Sequence, residues 1–435
     1  MEDELAVSRD EMVTMKVDEN GNWRAFRHRN FRILFAANSF ANVGTWAQRI
    51  AQDWLVLELT NSGTALGIVT ALQFFPVLFL SLHGGVLGDR FDKRIVLLFT
   101  NLGGWFSSGL LGLLVVTHHV QIWHVYALAF SLGAASAIDA PVRNAFSAEV
   151  VGHADVGNAV SLNSANFNAA RIVGPAASGA LIAAFGTGPS FLINSFSYLV
   201  VIYSLARLRK SEFFLVPKSH GVGNVREGIR YVRARPDLYV TMIVIFFMAT
   251  FGLNFQIFNA LSATKTFHRG SVSFGLLGTF LAFGSLSGAL ISARLEKRRS
   301  TMFIVYGACA FGAAVMVLAL MPTYLTYALW LPVCGFAALT TAISANGLMQ
   351  SNTDPGLRGR VMGIYHLVFL GGTPAGSTLV GLSAEKIGVQ FTIGICGLIT
   401  VLAAVFVWFR YRDKVATPES FSIDFVLPPG YENKG

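Results

Sequence analysis

Twelve apolar runs separated by short polar segments make up most of this chain, at about 31–58, 64–87, 95–117, 122–143, 158–184, 189–208, 239–262, 271–293, 301–321, 324–349, 361–384 and 389–410. Crossing ~30 Å of hydrocarbon takes about 20 apolar residues, and a backbone inside lipid must satisfy its own hydrogen bonds, so runs of this length predict membrane-spanning helices. Hydrophobic residues are 53% of the 435, charged residues only 13%, and mean hydropathy is +0.55. A soluble domain carries roughly 25% charge. The 43 glycines and 36 phenylalanines suit helices that approach closely at small residues and present bulky surface to lipid. The expected fold is all-α and integral to the membrane, with twelve spans in two pseudo-symmetric six-helix bundles.

The net charge of +9 arises from short basic clusters between the runs rather than from one basic face, which argues against a nucleic-acid partner. Placing both ends of the chain inside puts Arg24, Arg27, Arg29 and Arg32, then Arg90, Lys93 and Arg94, then the basic residues of 207–235, and Arg294, Lys297, Arg298 and Arg299 on the inner side. The outer loops then hold only Lys265, Arg269 and Lys386. This is the positive-inside asymmetry. It divides the chain into a cytoplasmic tail 1–30, a first bundle 31–208, a cytoplasmic linker 209–238, a second bundle 239–411 and a cytoplasmic tail 412–435. Val222, Val225, Ile229 and Val232 recur in the linker at helical spacing, with Arg226, Arg230 and Arg233 on other faces. They predict a basic amphipathic helix on the inner membrane surface. The opening Met1-Glu2-Asp3-Glu4 does not read as a cleavable signal. Cys309, Cys334 and Cys396 lie in apolar runs and read as packing residues.

Between the second and third runs lies Gly84-Gly85-Val86-Leu87-Gly88-Asp89-Arg90-Phe91-Asp92-Lys93-Arg94. A degraded copy, Gly288–Arg298, follows about 200 residues later. Gly174-Pro175-Ala176-Ala177-Ser178-Gly179 in the fifth run has its counterpart in Thr373–Thr378 of the eleventh at nearly the same offset, so the chain reads as a duplicated six-span unit. Asp89 is a carboxylate at the membrane edge. The inner start of the eleventh span, near Gly359-Arg360-Val361, offers unpaired N–H groups to an anion, so Asp89 is expected to latch the two halves together on the inside. Ala293 occupies the corresponding place in the copy, which leaves that latch one-sided.

The first loop resembles the signature loop of the major facilitator superfamily, with Gly85, Leu87, Gly88, Asp89, Arg90, Asp92, Lys93 and Arg94 on the pattern. Asp139-Ala140-Pro141-Val142-Arg143 and Asn168–Pro175 resemble its branch of enterobactin-exporter-like secretion transporters. The resemblance implies a central cavity and rocking between inward-open and outward-open states, and places Asp139 in a charge relay with Arg90 or Arg94. The i, i+4 spacing of Asp139 and Arg143 equally allows those two to pair. Gly174, Pro175, Ser178 and Gly179 resemble the fifth-helix motif of proton-coupled exporters, with Ser178 in place of a glycine. Arg171 belongs to the same segment. By the same likeness the fifth helix meets the eighth, with Gly284–Gly288 as its packing partner.

Charges inside spans are costly and are therefore candidates for function. Asp53, with Arg49 one turn before it and Glu58 at the end of the span, is the candidate for proton coupling, with Arg49 or Arg171 tuning it. A static Arg49–Asp53 pair is the alternative. Asn38, Asn42, Gln73, Asn166, Asn254 and Asn346 are candidates for the substrate cavity, beside Phe74, Phe75, Phe251 and Phe255. His118, His119 and His124 lack the carboxylate or cysteine that would complete a metal set, so neither metal nor cofactor is expected. The chain has no Gly-Lys dipeptide and thus no P-loop. The expectation is a non-enzymatic secondary transporter, a monomer in the bacterial inner membrane, exporting a siderophore, drug or other amphipathic small molecule in exchange for protons. An uptake transporter of the same fold and a non-transporting receptor or scaffold are the alternatives.

Overall fold

The computed structural model describes residues 21, 23–214, 225–295 and 299–415, and the backbone alone at 82–86, 89, 225, 293 and 412–415. Most of the two tails (1–20, 22 and 416–435), Val222 and Lys218 of the linker, and Glu296–Arg298 of the copied loop lie outside the described residues. Among the described residues every regular element is helical.

The spans follow chemistry legible at their ends. The first, Arg29–Thr60, stops at Asn61 in the left-handed region (φ 49°). The second, Gly63–Arg90, starts where the Ser62 hydroxyl accepts from the Ala65 N–H. Asp92 caps the third, Lys93–Val116, by accepting from the Arg94 N–H. The fourth and fifth form one unit, Ile122–Phe185, bent at Gly152, whose φ of 74° and ψ of 165° break the helix. The sixth is Gly188–Ala206, with proline in its first turn. In the second half the seventh span starts as Pro236–Phe247. It continues through a π-helical turn, Met248–Gly252, a short helix, Phe255–Leu261, and a second π-helical turn, Ser262–Thr266. The eighth, ninth and tenth are Ser271–Arg294, Thr301–Ala319 and Tyr324–Ser351. The eleventh is broken at Gly372 into Arg358–Gly371 and Thr373–Ile387, and the twelfth is Val389–Val415. Ten helical stretches are long and apolar enough to cross a membrane by composition alone. The bent unit supplies two of the twelve spans, and the first span falls short because asparagines, Arg49 and Asp53 lower its hydropathy.

An even number of spans brings both chain ends to one face, here called proximal; the opposite face is distal. Phe99, Phe106, Phe196, Phe391, Phe406 and Phe409 are each more than half exposed and give the bundle an apolar exterior that requires lipid. The linker helix, Val225–Ala234, does not simply lie on a membrane surface. It buries Gly228, Tyr231 and Val232 against the second half and leaves Ile229, Arg230 and Arg233 exposed. Arg360 Nη1 donates to Glu227 at 2.6 Å, and the Asp354 N–H donates to the Tyr231 hydroxyl at 3.3 Å. Docking uses part of the face that periodicity assigns to lipid.

The two halves meet on the distal side through two matched contacts. The fifth span crosses the eighth where a Cβ on Gly179 would lie 2.7 Å from the Ser271 carbonyl oxygen and one on Gly275 would collide with the Pro175 carbonyl. Ser271 Oγ donates to Gly179 O at 3.2 Å and Thr279 Oγ1 to Ile172 O at 2.9 Å. The second span crosses the eleventh in the same manner: Gly67 faces the Ser377 carbonyl, Gly63 faces Gly381, and Ser377 Oγ donates to Gly67 O at 3.1 Å. The partner of the fifth-span motif is therefore 271–279. Gly284 and Gly288, the expected partners, instead pack on Pro332 and Phe336 of the tenth span within the second half. They lie farther toward the proximal face than the level at which the halves touch.

Gly67→Val would drive a side chain into the Ser377 backbone. Overpacking of this kind costs about 1–3 kcal/mol, so the distal contact should open. Spin labels at Leu59 and Lys386, exposed at the distal ends of the first and eleventh spans, should report a longer distance than in the parent protein. An unchanged distance distribution would show that this contact tolerates a side chain.

Candidate functional site

Beneath the distal contacts, a cavity of about 370 Å³ lies between the halves. The first half contributes Trp46, Arg49 and Ile50 from the first span, Thr70 and Phe74 from the second, and Arg171 and Pro175 from the fifth. The second half contributes Asn254, Phe255, Gln256 and Asn259 at the interrupted seventh span, with Phe274, Leu339 and Phe369 from others. The break at Met248–Gly252 places this polar stretch on the wall. Asn254 Nδ2 donates back into the π-helical turn, to Thr250 O at 2.8 Å, and Asn259 Oδ1 accepts from the Tyr327 hydroxyl at 3.2 Å.

Charge on this wall comes from arginine. The Arg49 guanidinium carbon lies 4.9 Å and that of Arg171 5.6 Å from the Trp46 ring centroid, so two cations share one indole. Asp53, one turn beyond Arg49, is 4% exposed and is absent from the cavity lining. Asp53 Oδ2 and Arg49 Nε are both buried without a hydrogen-bond partner, and the two residues act on one another through charge rather than through a hydrogen-bonded bridge. Glu58 lies apart from all of these, exposed at the end of the span and accepting from Trp54 Nε1 at 2.6 Å.

A second cavity, about 320 Å³, lies within the first half toward the proximal face and holds Asn38, Asn42, Asp139 and Arg143. Arg143 makes a two-pronged ion pair with Asp139, through Nε to Oδ2 at 2.7 Å and Nη2 to Oδ1 at 2.9 Å, and its Nη1 donates to Asn38 Oδ1 at 2.7 Å. Thr100 Oγ1 and Asn101 Nδ2 donate to Asp139 Oδ1 at 2.8 and 3.0 Å. Asp139 is thus satisfied by its own helix and by the third span, not by Arg90 or Arg94. Arg90 is exposed, and Arg94 Nη2 donates to Ala206 O at 2.9 Å. Of the substrate candidates, Asn254 is on the central wall, Asn38 and Asn42 are in the second cavity, and Gln73, Asn166 and Asn346 line neither. Asn346 Oδ1 accepts from Gln350 Nε2 at 2.6 Å.

The described side chains of the signature loop bind within the first half. Lys93 Nζ reaches Glu149 at 2.6 Å, Asp92 meets Lys210 Nζ at 3.4 Å, and Gly88 packs on Val142. The latch expected of Asp89 falls on a side chain outside the described residues, as does the place of Ala293; Gly85 is described as helical backbone only. In the fifth span, Gly174 admits Trp46 at close range and Ser178 Oγ donates to Ala47 O at 2.7 Å. The serine thus ties the first span to the fifth where a glycine would only permit approach.

Two carboxylates escaped the sequence reading. Asp155, 1% exposed, accepts from Arg27 Nε at 2.9 Å and meets His28 Nε2 at 2.8 Å, fastening the start of the first span to the Gly152 bend. Glu385 Oε2, at the distal end of the eleventh span, accepts from Ser62 Oγ at 2.9 Å, the Thr64 N–H at 3.1 Å and Thr64 Oγ1 at 2.5 Å, while Lys265 Nζ donates to Asn61 O at 2.6 Å. A carboxylate from one half therefore sits at the helix N-terminus of the other. The Ser62-x-Thr64 helix start is local chemistry, whereas its partner Glu385 lies 321 positions away from Thr64.

A family model described as transmembrane secretion effector matches residues 20–425. The staphyloferrin A transporter of Staphylococcus aureus is 23% identical over 395 residues, covering 89% of this chain and 98% of that protein. The multidrug efflux pump Tap of Mycolicibacterium fortuitum is 27% identical over 393 residues, 87% of this chain and 95% of that one. The enterobactin exporter EntS of Citrobacter koseri is 20% identical over 357 residues, 81% and 85% of the two chains. Among solved structures, a bacterial homologue of the human lysosomal transporter Spinster, inward-facing and unoccupied, superposes with a TM-score of 0.69 at 14% identity over 90% of this chain and 97% of that one. At that identity the likeness is one of fold.

Removing the distal carboxylate by Glu385→Ala leaves the Ser62–Thr64 helix start uncapped from the other half. A solvent-exposed contact of this kind is worth about 1 kcal/mol, which corresponds to roughly a fivefold larger distal-open population. The Leu59–Lys386 label pair measures it; equal populations in parent and variant would reduce Glu385 to a surface residue.

Proposed function

Because this chain belongs to the transmembrane secretion effector family of the major facilitator superfamily, we propose that it exports a small amphipathic molecule in exchange for protons by alternating access. The chain is a multi-pass membrane transporter rather than an enzyme. The proposed membrane is the bacterial inner membrane, with the proximal face cytoplasmic, as the Lys and Arg asymmetry favours. The observation that carries the reading is the central cavity, which lies at the seam of two six-span halves and is sealed on one side only by small-residue contacts. Backbones packed at glycine part without dragging interdigitated side chains apart. Rocking about this seam exposes the cavity to alternate faces. A cavity sealed distally is the state in which an exporter loads.

The names of the relatives, a staphyloferrin A transporter, an enterobactin exporter and a multidrug efflux pump, favour a siderophore or drug-like cargo. Asp53 is the proposed proton carrier, because a buried carboxylate with an unpartnered oxygen pays for its charge unless protonated. Gating is assigned to the signature loop, Asp139 and Arg143 on the proximal side and to the fifth-span motif on the distal side.

Purified protein in proteoliposomes with an imposed pH gradient should move protons only when a transported amphipathic dye is present, tested with an anionic, a neutral and a cationic dye in turn. Asp53→Asn should lower that flux by on the order of tenfold or more while leaving the fold intact. Proton-driven transport undiminished in the variant would remove Asp53 from the pathway, and dye entry driven with the gradient would reverse the assigned direction.

A further inference from the structure

The two arginines on the central wall have no structural partner that accounts for them. A guanidinium between bundles, away from bulk water, is costly unless its charge and its five donors are met. Among the described residues Arg171 has no carboxylate partner and Arg49 has only the charge of Asp53 behind it, and the cavity lining contains no aspartate or glutamate. Both lie within cation–π reach of the one Trp46 ring, so their mutual repulsion is built into the site. Arg49 Nε and Trp46 Nε1 are both buried donors without an acceptor. Asp53 offsets at most one of the two charges, from behind the wall. What is missing is an acceptor carrying negative charge.

We propose that the central cavity binds its cargo through an oxyanion, a carboxylate or phenolate, held by Arg49 and Arg171 beside Trp46, with the apolar body of the ligand against Phe255, Phe274 and Phe369 of the other half. Paired guanidinium groups hold an oxyanion with directed hydrogen bonds, which Lys does less well. The remaining wall is apolar or neutral, as expected where a few polar groups orient a ligand of modest size. Charge is recognised by the first half and apolar surface by the second, so an occupied site spans the seam that must rock. Gly174 is part of the device, since a side chain there would displace Trp46 from the arginines it holds. The inference deepens the transport reading and rests on it for its biological meaning. It is tested by binding alone, so failure of proton flux and failure of anion recognition are separate results.

The probes are 2-naphthoate, 2-naphthamide and 2-naphthylmethylammonium, which share one ring system and differ in charge, titrated into the full chain in lipid nanodiscs with affinity and thermal stability read together. Naphthoate should bind at least tenfold more tightly than the amide and stabilise the protein, and the ammonium should be excluded. Arg171→Gln should weaken naphthoate by about 10- to 100-fold with little change for the amide, and Arg171→Lys should restore part of the loss. A purely structural arginine would lower stability without changing this order of preference. Arg171 donates no hydrogen bond to the fold, so its variants serve if Arg49→Gln fails to fold. A parallel titration with dihexanoyl phosphatidate separates a lipid phosphate from a soluble carboxylate: whichever binds more tightly in an Arg171-dependent manner names the source. Equal affinity for the three naphthyl probes, preference for the ammonium, or naphthoate affinity unaltered by Arg171→Gln would overturn the proposal.

Discussion

Everything in this molecule turns on backbone meeting backbone at the distal seam. Helices in lipid gain no hydrophobic energy from association, because the tails they displace are as apolar as their own side chains. What holds the halves together is close van der Waals contact and a few hydrogen bonds, available only where side chains are absent. Gly63 and Gly67 against Ser377 and Gly381, and Gly179 against Ser271 and Gly275, provide that twice, at positions related by the internal duplication. The seam is tight because it is small-sided, and separable for the same reason. Glu385 and Lys265 then add charge-assisted bonds at its rim, where water weakens them and lets them exchange.

The handling of charge inside each half follows a different logic. Asp139 and Arg143 are fully met by one another and by Thr100, Asn101 and Asn38, so that network rigidifies the first half at modest cost. Arg49 and Asp53 are left incompletely met around the seam, with Arg171 beside them over the Trp46 ring. A satisfied network holds a bundle in one shape, whereas an unsatisfied one invites an occupant or a proton. The contrast separates the scaffold from the working surface within a few turns of the same helices.

Much of the fold was legible because a membrane span writes itself into sequence as length and hydropathy. The eighth span shows where legibility ended. Gly275 and Gly278 face the fifth span while Gly284 and Gly288 face the tenth, and glycine spacing alone cannot say which neighbour each set will meet. Asp139 makes the same point, since a relay partner and an i+4 partner were both open on sequence and only distance chose Arg143. Asp155 and Glu385 were passed over because each serves residues more than a hundred positions away.

What the sequence alone determined is the set of spans, their duplication and the few charges that must be explained within them, since each depends on local composition against a bilayer of known thickness. Which charges meet, which glycines touch, and on which side the cavity is sealed were decided by tertiary structure. Those outcomes rest on contacts between elements distant in the chain, whose geometry is set by the packing of two halves that no local pattern describes.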